Sequence, residues 1–275
     1  MKANRLLFIT QEINPYVPEA TLTDLGRIVP LGAIDRGREI RAFMPKWGNI
    51  NERRNQLHEV IRLSGLNLTI DKVDHPLIIK VASLPGTRMQ IYFIDNEDFF
   101  HKRLQECDAK GTEYTDNFER GVFFARSVLE TVKKLRWIPD IIHCQGWMSS
   151  FVPIYMKTAY ADDLALRNCR TVYTQSPNKL TLPTGERFDK KLELRSTKEG
   201  DFKDFEPSLT PKDMEKMAIK HADGVSFHSA EPDNELIEYA RQLGKPILEG
   251  AAADPDKYVA FFDLIWGKGK KEAAL

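Results

Sequence analysis

The feature that most constrains this chain is a series of short apolar runs separated by stretches of helical length. Within Arg5–Thr10 the residues Leu6–Ile9 form a continuous apolar run, Ile141–Cys144 reads as a buried-type strand, and Glu39–Met44, Thr171–Thr174, Gly224–Phe227 and Lys245–Leu248 read as further strands. An unbroken apolar strand must be covered on both faces, which a parallel sheet achieves with helices above and below. The segment Arg5–Met44 already has the strand, helix, strand order and the length of a βαβ unit. The expectation is an α/β fold: a mostly parallel sheet flanked by helices.

The helices are marked by spacing and by their ends. Phe118, Val122, Phe123, Ala125, Val128, Leu129 and Val132 recur with a period near 3.6, and Lys133 and Lys134 complement the C-terminal dipole, so Asp116–Leu135 is a helix. Leu22, Leu25, Ile28, Val29, Leu31 and Ile34 share a broad face, with Pro30 expected to kink or split it. Further helices are expected at Glu97–Gln105, Trp147–Ala159, Pro211–His221 (Thr210 as N-cap) and Glu231–Leu243, the last closed by Gly244. Between Gln56 and Ile94 the pattern changes to Val60–Leu63, Leu66–Ile70, Leu77–Val81 and Met89–Ile94, punctuated by Gly65, Pro76 and Pro85-Gly86, which predicts an inserted β-meander. The charge-rich segment Pro183–Thr210 reads as a mobile loop or solvated helix, and the tail from Lys268 to Leu275 as frayed.

In a parallel sheet, ligands bind beyond the carboxyl ends of the strands at a topological switch point. Three loops qualify, Gln11–Thr23, Gln145–Ser149 and Gln175–Lys179, and they line one crevice if their strands are neighbours. Thr21 and Asp24 have the spacing of a capping box; the alternative is an anion-binding helix N-terminus. Against an anion, Gln11–Asp24 contains no glycine, and Glu12 and Glu19 add negative charge. His143 is either a satisfied core histidine or a site residue. Gln145 and Trp147 face the proposed crevice, where a Trp ring either stacks on a sugar or base or fills the core.

Other chemistries find little support. The chain has no GxGxxG, GxxxxGK[ST] or GxSxG motif. His221, Asp223, His228 and Glu231 match no metal-binding spacing, so neither a metal nor a cofactor is expected. Lys+Arg and Asp+Glu both number 40, which argues against general electrostatic binding of nucleic acid. Cys107, Cys144 and Cys169 are too scattered for a disulfide framework or a zinc site. With no apolar stretch of membrane-spanning length and no signal-peptide core, the expected location is the cytoplasm, with no membrane partner.

Read together, these stretches resemble the N-terminal catalytic domain of bacterial glycogen and starch synthases. The matches are Leu6–Glu12 with Pro15-Tyr16, Leu22–Leu25, Pro30-Leu31, Gly37–Ile40 through Met44-Pro45, Tyr92–Asn96, Asp116-Asn117-x-x-Arg120, Phe123-Phe124 and Leu129-Glu130. The most specific is Trp137-x-Pro-Asp-Ile-Ile-His-Cys-x-x-Trp147 with Val152-Pro153; Thr171–Thr174 and Ala222–Val225 continue it, so the resemblance covers about residues 4–250. It implies the N-terminal half of a glycosyltransferase with two Rossmann-like domains and the active site between them. Such enzymes transfer glucose, with retention, from a nucleotide sugar (ADP-glucose in bacteria) to an α-1,4-glucan. The N-terminal domain largely holds the acceptor, and the C-terminal domain supplies most of the nucleotide-binding groups.

The sequence departs from that pattern where the chemistry is concentrated. The family's Lys-x-Gly-Gly-Leu aligns with Pro18, Glu19, Ala20, Thr21 and Leu22, so the cation and both glycines are replaced. Its His-x-His-Asp-Trp aligns with His143, Cys144, Gln145, Gly146 and Trp147. Groups of this kind are worth roughly 2–4 kcal/mol each to a departing anion in other enzymes. Asp24 and Trp147 are retained, and Tyr16 keeps an aromatic. The resemblance therefore implies a single Rossmann-like domain over residues 1–275, without the C-terminal nucleotide-binding domain. Tyr16, Asp24, His143, Gln145 and Trp147 become the candidate substrate-binding residues, for an α-glucan and ADP-glucose. Two roles follow: a glucan-synthase domain not active alone, its cleft completed by a partner chain or a homo-oligomer, or a catalytically inactive glucan-binding or regulatory protein of glycogen metabolism.

Overall fold

The computed structural model describes residues 1–18, 20–194 and 196–272, with side chains through Gly269. Along the chain, β1 (Arg5–Thr10), α1 (Leu25–Asp35) and β2 (Glu39–Pro45) form the expected βαβ unit. Then come β3 (His58–Glu59), β4 (Leu66–Ile70), β5 (Val73–Ser83), β6 (Gln90–Asp95), α2 (Asn117–Leu135), β7 (Ile141–Gln145) and α3 (Phe151–Lys157). The remainder is β8 (Arg170–Gln175), α4 (Asp189–Leu192), α5 (Pro211–His221), β9 (Gly224–Phe227), α6 (Asn234–Gln242), β10 (Ile247–Leu248) and α7 (Pro255–Glu272).

The sheet order is β10-β9-β8-β7-β1-β2-β6-β5-β3, with β4 paired to β5. Strands β10 through β6 run parallel, and β3, β4 and β5 are joined by antiparallel pairs. The fold is thus α/β and mostly parallel, with an inserted antiparallel meander. The order reverses beside β1: the chain moves outward through β2 on one side and returns to β7 on the other. Right-handed crossovers in opposite directions put helices on opposite faces. Accordingly α7 packs on α1, while α2, α3, α5 and α6 pack in succession on the other face.

Several local expectations change. Pro30 stays inside an unbroken α1. Glu97–Gln105 is turns rather than helix, held by Asn96 Oδ1, which accepts from the N–H groups of Asp98 and Phe99. Val60–Leu63 is a turn, and only His58–Glu59 pairs there. The helix after Trp147 divides into a 3₁₀ turn at Trp147–Ser149 and α3. Thr210 caps α5 as expected, in a reciprocal capping box with Asp213. The segment 183–210 is pinned by buried Phe188, Leu192, Phe202 and Phe205, so its charges decorate an anchored excursion. The expected fraying from Lys268 gives way to helix through Glu272; the last three residues, like Glu19, lie outside the described residues.

Candidate functional site

The loops after β1, β7 and β8 meet because their strands are neighbours. Gln11, at the end of β1, reaches across: its Oε1 accepts the Met148 N–H at 3.2 Å, and its backbone carbonyl accepts the Trp47 indole N–H at 2.7 Å. Gly146 sits at φ +74°, and a Cβ there would lie 2.6 Å from Leu22 Cδ1 and 2.8 Å from Gln11 Oε1. This close approach seals the first loop to the second. The Gly146 N–H donates to the Thr174 carbonyl at 3.0 Å, tying the second loop to β8.

The start of α1 is not closed by the expected box. Asp24 occupies the N-cap position, is exposed, and makes no side-chain cap bond. Instead Glu12 Oε2 accepts the Leu22 N–H at 2.8 Å, and its Oε1 accepts from Gln11 Nε2 at 3.2 Å. Burial pushes the Glu12 carboxyl up, against these two bonds and the field of His228, which lower it.

Glu106, in the loop before α2, is the residue that sequence reasoning missed. Its Oε1 accepts the Trp147 indole N–H at 2.9 Å and its Oε2 the Lys179 backbone N–H at 3.3 Å, so it bridges the second and third loops. Burial raises its pKa, and the Glu12 charge adds to the rise. Glu113, from the same loop, accepts from Thr181 N, Thr181 Oγ1 and Leu182 N and holds the next turn of the wall. A buried Trp N–H needs an acceptor, which signals that one exists but not which residue provides it.

The five sequence candidates fall at different depths. Trp147 is buried, its N–H turned to Glu106. Asp24 is open to solvent at the start of α1. Tyr16 leans away over β6, its ring edge-on to Phe93 at 5.0 Å and its hydroxyl 3.5 Å from the Ser83 carbonyl. His143 is fully buried under α7, against Phe8, Tyr258 and Phe262. Gln145 is equally buried; its Nε2 donates to His143 Nδ1 at 3.2 Å, so the ring offers its other N–H to Thr174 Oγ1 at 2.6 Å. Thr174 Oγ1 lies 2.5 Å from Ser226 Oγ, which is 3.3 Å from Tyr258 Oη. Burial, with a smaller push from His228, drives His143 down to about 3, so it is neutral at physiological pH. His143 and Gln145 thus lie beneath the three loops, Trp147, Glu106 and Glu12 join those loops to one another, and Asp24 stands exposed at the start of α1.

Under the third loop, Glu215 of α5 accepts from Asn178 Nδ2 at 3.0 Å and Gln175 Nε2 at 3.3 Å. Burial pushes its carboxyl up to about 7 from 4.5. The folded state therefore keeps a proton that the unfolded chain releases, so stability falls as pH rises through 4.5–7 and is level above. Glu215→Gln should remove this fall and raise stability at pH 8 by on the order of 3 kcal/mol, with little change at pH 4.5. Urea unfolding at the two pH values checks this; parallel profiles for the two proteins would refute it.

Among the described residues, no group of three or more His, Cys, Asp or Glu side chains could hold a metal ion, and no helix is long and apolar enough to cross a membrane. A family model described as "Starch synthase catalytic domain" matches residues 5–249. The glycogen synthase of Chlorobium luteolum is 36% identical over 171 residues, 62% of this chain and 35% of that protein. That of Chlorobaculum tepidum is 32% identical over 241 residues, 87% and 47% of the two. The chain thus spans about a third to a half of the length of these relatives. The catalytic domain of Starch Synthase IV from Arabidopsis thaliana, bound to ADP and acarbose, shares the fold over 90% of this chain and 51% of its own, with a TM-score of 0.69 at 18% identity. With most of its length matched in order, this chain belongs to the starch synthase catalytic domain family.

Proposed function

We propose that this chain is the acceptor side of a glucan synthase: it holds an α-1,4-glucan along the Trp147–Glu106–Asp24 crevice and does not transfer glucose from ADP-glucose alone. The observation that carries this reading is that carboxylates occupy the backbone and indole donors where the three loops meet: Glu12 accepts the Leu22 N–H at 2.8 Å, and Glu106 accepts the Trp147 indole N–H at 2.9 Å and the Lys179 N–H at 3.3 Å. Sugar hydroxyls can donate to such carboxyls. A diphosphate would add negative charge to a site already short of cations, where anions are normally met by Arg, Lys or free helix N–H groups. The Leu22 N–H, in the loop where the family resemblance expects the donor phosphate, is already taken by Glu12. Pro18, Ala20 and Thr21 stand where that motif has its Lys, its first Gly and its second Gly. A donor-binding domain, in a longer chain or a partner, would complete the cleft. Free thiols at Cys107, Cys144 and Cys169 fit the cytoplasm.

The test is transfer of labelled glucose from ADP-glucose into glycogen by the chain alone, beside calorimetric titration with maltoheptaose. The expected result is binding without incorporation. Sustained incorporation would show the missing Lys and glycines to be dispensable, and absence of binding would overturn the acceptor assignment. The same substitutions favour a second reading, a glucan-binding protein without catalysis. Adding the C-terminal half of a relative separates the two: restored incorporation supports the synthase, and continued silence the binding protein.

A further inference from the structure

On the α2–α3 face, toward the amino ends of the strands and away from the crevice, lies a cavity of about 1200 Å³. It is bounded by the β4–β5 hairpin, α2, the turn after α3 and, from the charge-rich excursion, Arg187, Lys190, Glu193, Leu194, Ser196 and Lys198. Its volume exceeds the ~300–1,000 Å³ usual for small-molecule pockets. In its wall is Arg126, only 6% exposed. One terminal nitrogen of Arg126 donates to the Thr69 carbonyl at 2.7 Å, while its Nε has no partner among the described residues. What Arg126 presents to the cavity is a charged side chain held almost buried in its wall, a place from which a guanidinium can anchor an anion.

The charges around it are sorted. Glu130 accepts Tyr160 Oη at 2.6 Å and lies 3.5 Å from Lys133 Nζ, which also pairs with Asp163 at 2.9 Å. Asp162 pairs with Lys198 at 2.6 Å and Glu193 with Lys190 at 2.7 Å. The carboxylates on this wall are thereby engaged, except Asp71. Lys72 and Arg187, both exposed on the same wall, form no ion pair among the described residues. The surplus of unengaged charge is positive and centres on a guanidinium, whose planar fork matches a phosphoryl group.

We propose that this cavity is a second ligand site, for a small phosphate-bearing molecule, with Arg126 as the buried anchor and Arg187 and Lys72 at the mouth. The buried apolar side chain of Leu68, with Ala159 and Leu194, offers a surface for the body of the ligand. The site is independent of the crevice and of the glucan reading.

The experiment is a phosphorus NMR titration of the full chain with pyrophosphate at low salt. Binding by the unaltered chain should weaken about tenfold in Arg187→Glu and in Arg126→Lys, which keeps the charge but loses the fork, and stay unchanged in Arg54→Glu, an exposed arginine outside the cavity. Arg187 is exposed, so its variant keeps the test decisive even if Arg126→Lys fails to fold. No binding by the unaltered chain, equal affinity in Arg187→Glu, or affinity lost instead in Lys179→Glu at the crevice would each overturn the assignment.

Discussion

Replacing Gly146 by alanine is expected to lower the free energy of unfolding by about 2–6 kcal/mol. Two costs add. The backbone at φ +74°, ψ 177° lies in a region essentially reserved for glycine, worth about 1–3 kcal/mol. The new methyl would also drive into Leu22 Cδ1 and Gln11 Oε1, both buried. Gln11 cannot swing aside without releasing the Met148 N–H and Glu12, and overpacking of this kind costs about 1–3 kcal/mol. Gly37 is the natural control: its φ is +71°, but apart from its chain neighbours no atom lies within 4 Å of the position a methyl would take. Gly37→Ala should therefore lose only the backbone share, about 1–2 kcal/mol. Urea midpoints at constant slope measure both; equal losses would mean that the first and second loops do not meet as described.

Arg120→Met should be at least as damaging, by about 3–5 kcal/mol, because truncating one partner of a buried charged network strands the rest. Arg120 has no exposed surface. It donates to the carbonyls of Phe99 at 2.9 Å, Leu104 at 2.7 Å and Gln105 at 2.5 Å, and to Asn117 Oδ1 at 2.8 Å. Its guanidinium also lies 5.1 Å from the centre of the Trp47 ring and 4.9 Å from that of Tyr114. Burial, with the neighbouring charge of Arg103, pushes its pKa down to about 9, a sign of how little solvent it keeps. The three carbonyls belong to the loop that delivers Glu106, so the loss should reach the crevice. A partially folded Arg120→Met protein should bind maltoheptaose more weakly than its folded fraction explains. Arg120→Lys should rescue little, since one ammonium cannot serve three carbonyls arranged around a planar fork. Thermal melts with parallel calorimetry check both; a stable Arg120→Met chain with unchanged binding would remove Arg120 as the organiser of that loop.

The parallel core was legible because strands buried on both faces leave a local mark: Leu6–Ile9 is apolar whichever way each side chain points, and Ile141–Cys144 is interrupted only by His143. The α2 periodicity was legible for the same reason, with one face on the sheet and Lys133 and Lys134 at its end. What could not be read depends on partners distant in sequence. The spacing of Thr21 and Asp24 fits a capping box, but α1 begins only at Leu25 with Asp24 in the N-cap position, and Glu12, distant from the pattern, takes the Leu22 N–H instead. Glu106 sits in an aperiodic loop, and only the fold sets it against Trp147 and Lys179. The C-terminal segment carries Gly267 and Gly269, which weaken helix propensity, yet Phe261, Phe262 and Ile265 bury themselves and hold α7 in place. The sequence around His143 fits a core residue as well as a site residue, and only the packing of Tyr258 and Phe262 of α7 against its ring makes it core.

The position of α7 bears on the order in which the molecule can be made. Ala3 N and Arg38 both bond the Asp263 carboxylate, at 2.8 and 2.7 Å, across 260 and 225 residues of chain. The central strand β1 finds β2 early but meets Ile141–Gln145 only when that segment has been synthesised. Until then one edge of β1 stands unpaired, and until Phe262 arrives the Phe8–His143 layer is open to water. Contacts of such separation fold late, after loop closure has been met by few earlier gains. A nascent chain that stops short of Ile141 therefore carries an apolar face and the free edge of β1 at the same time, the state in which chaperones are most needed.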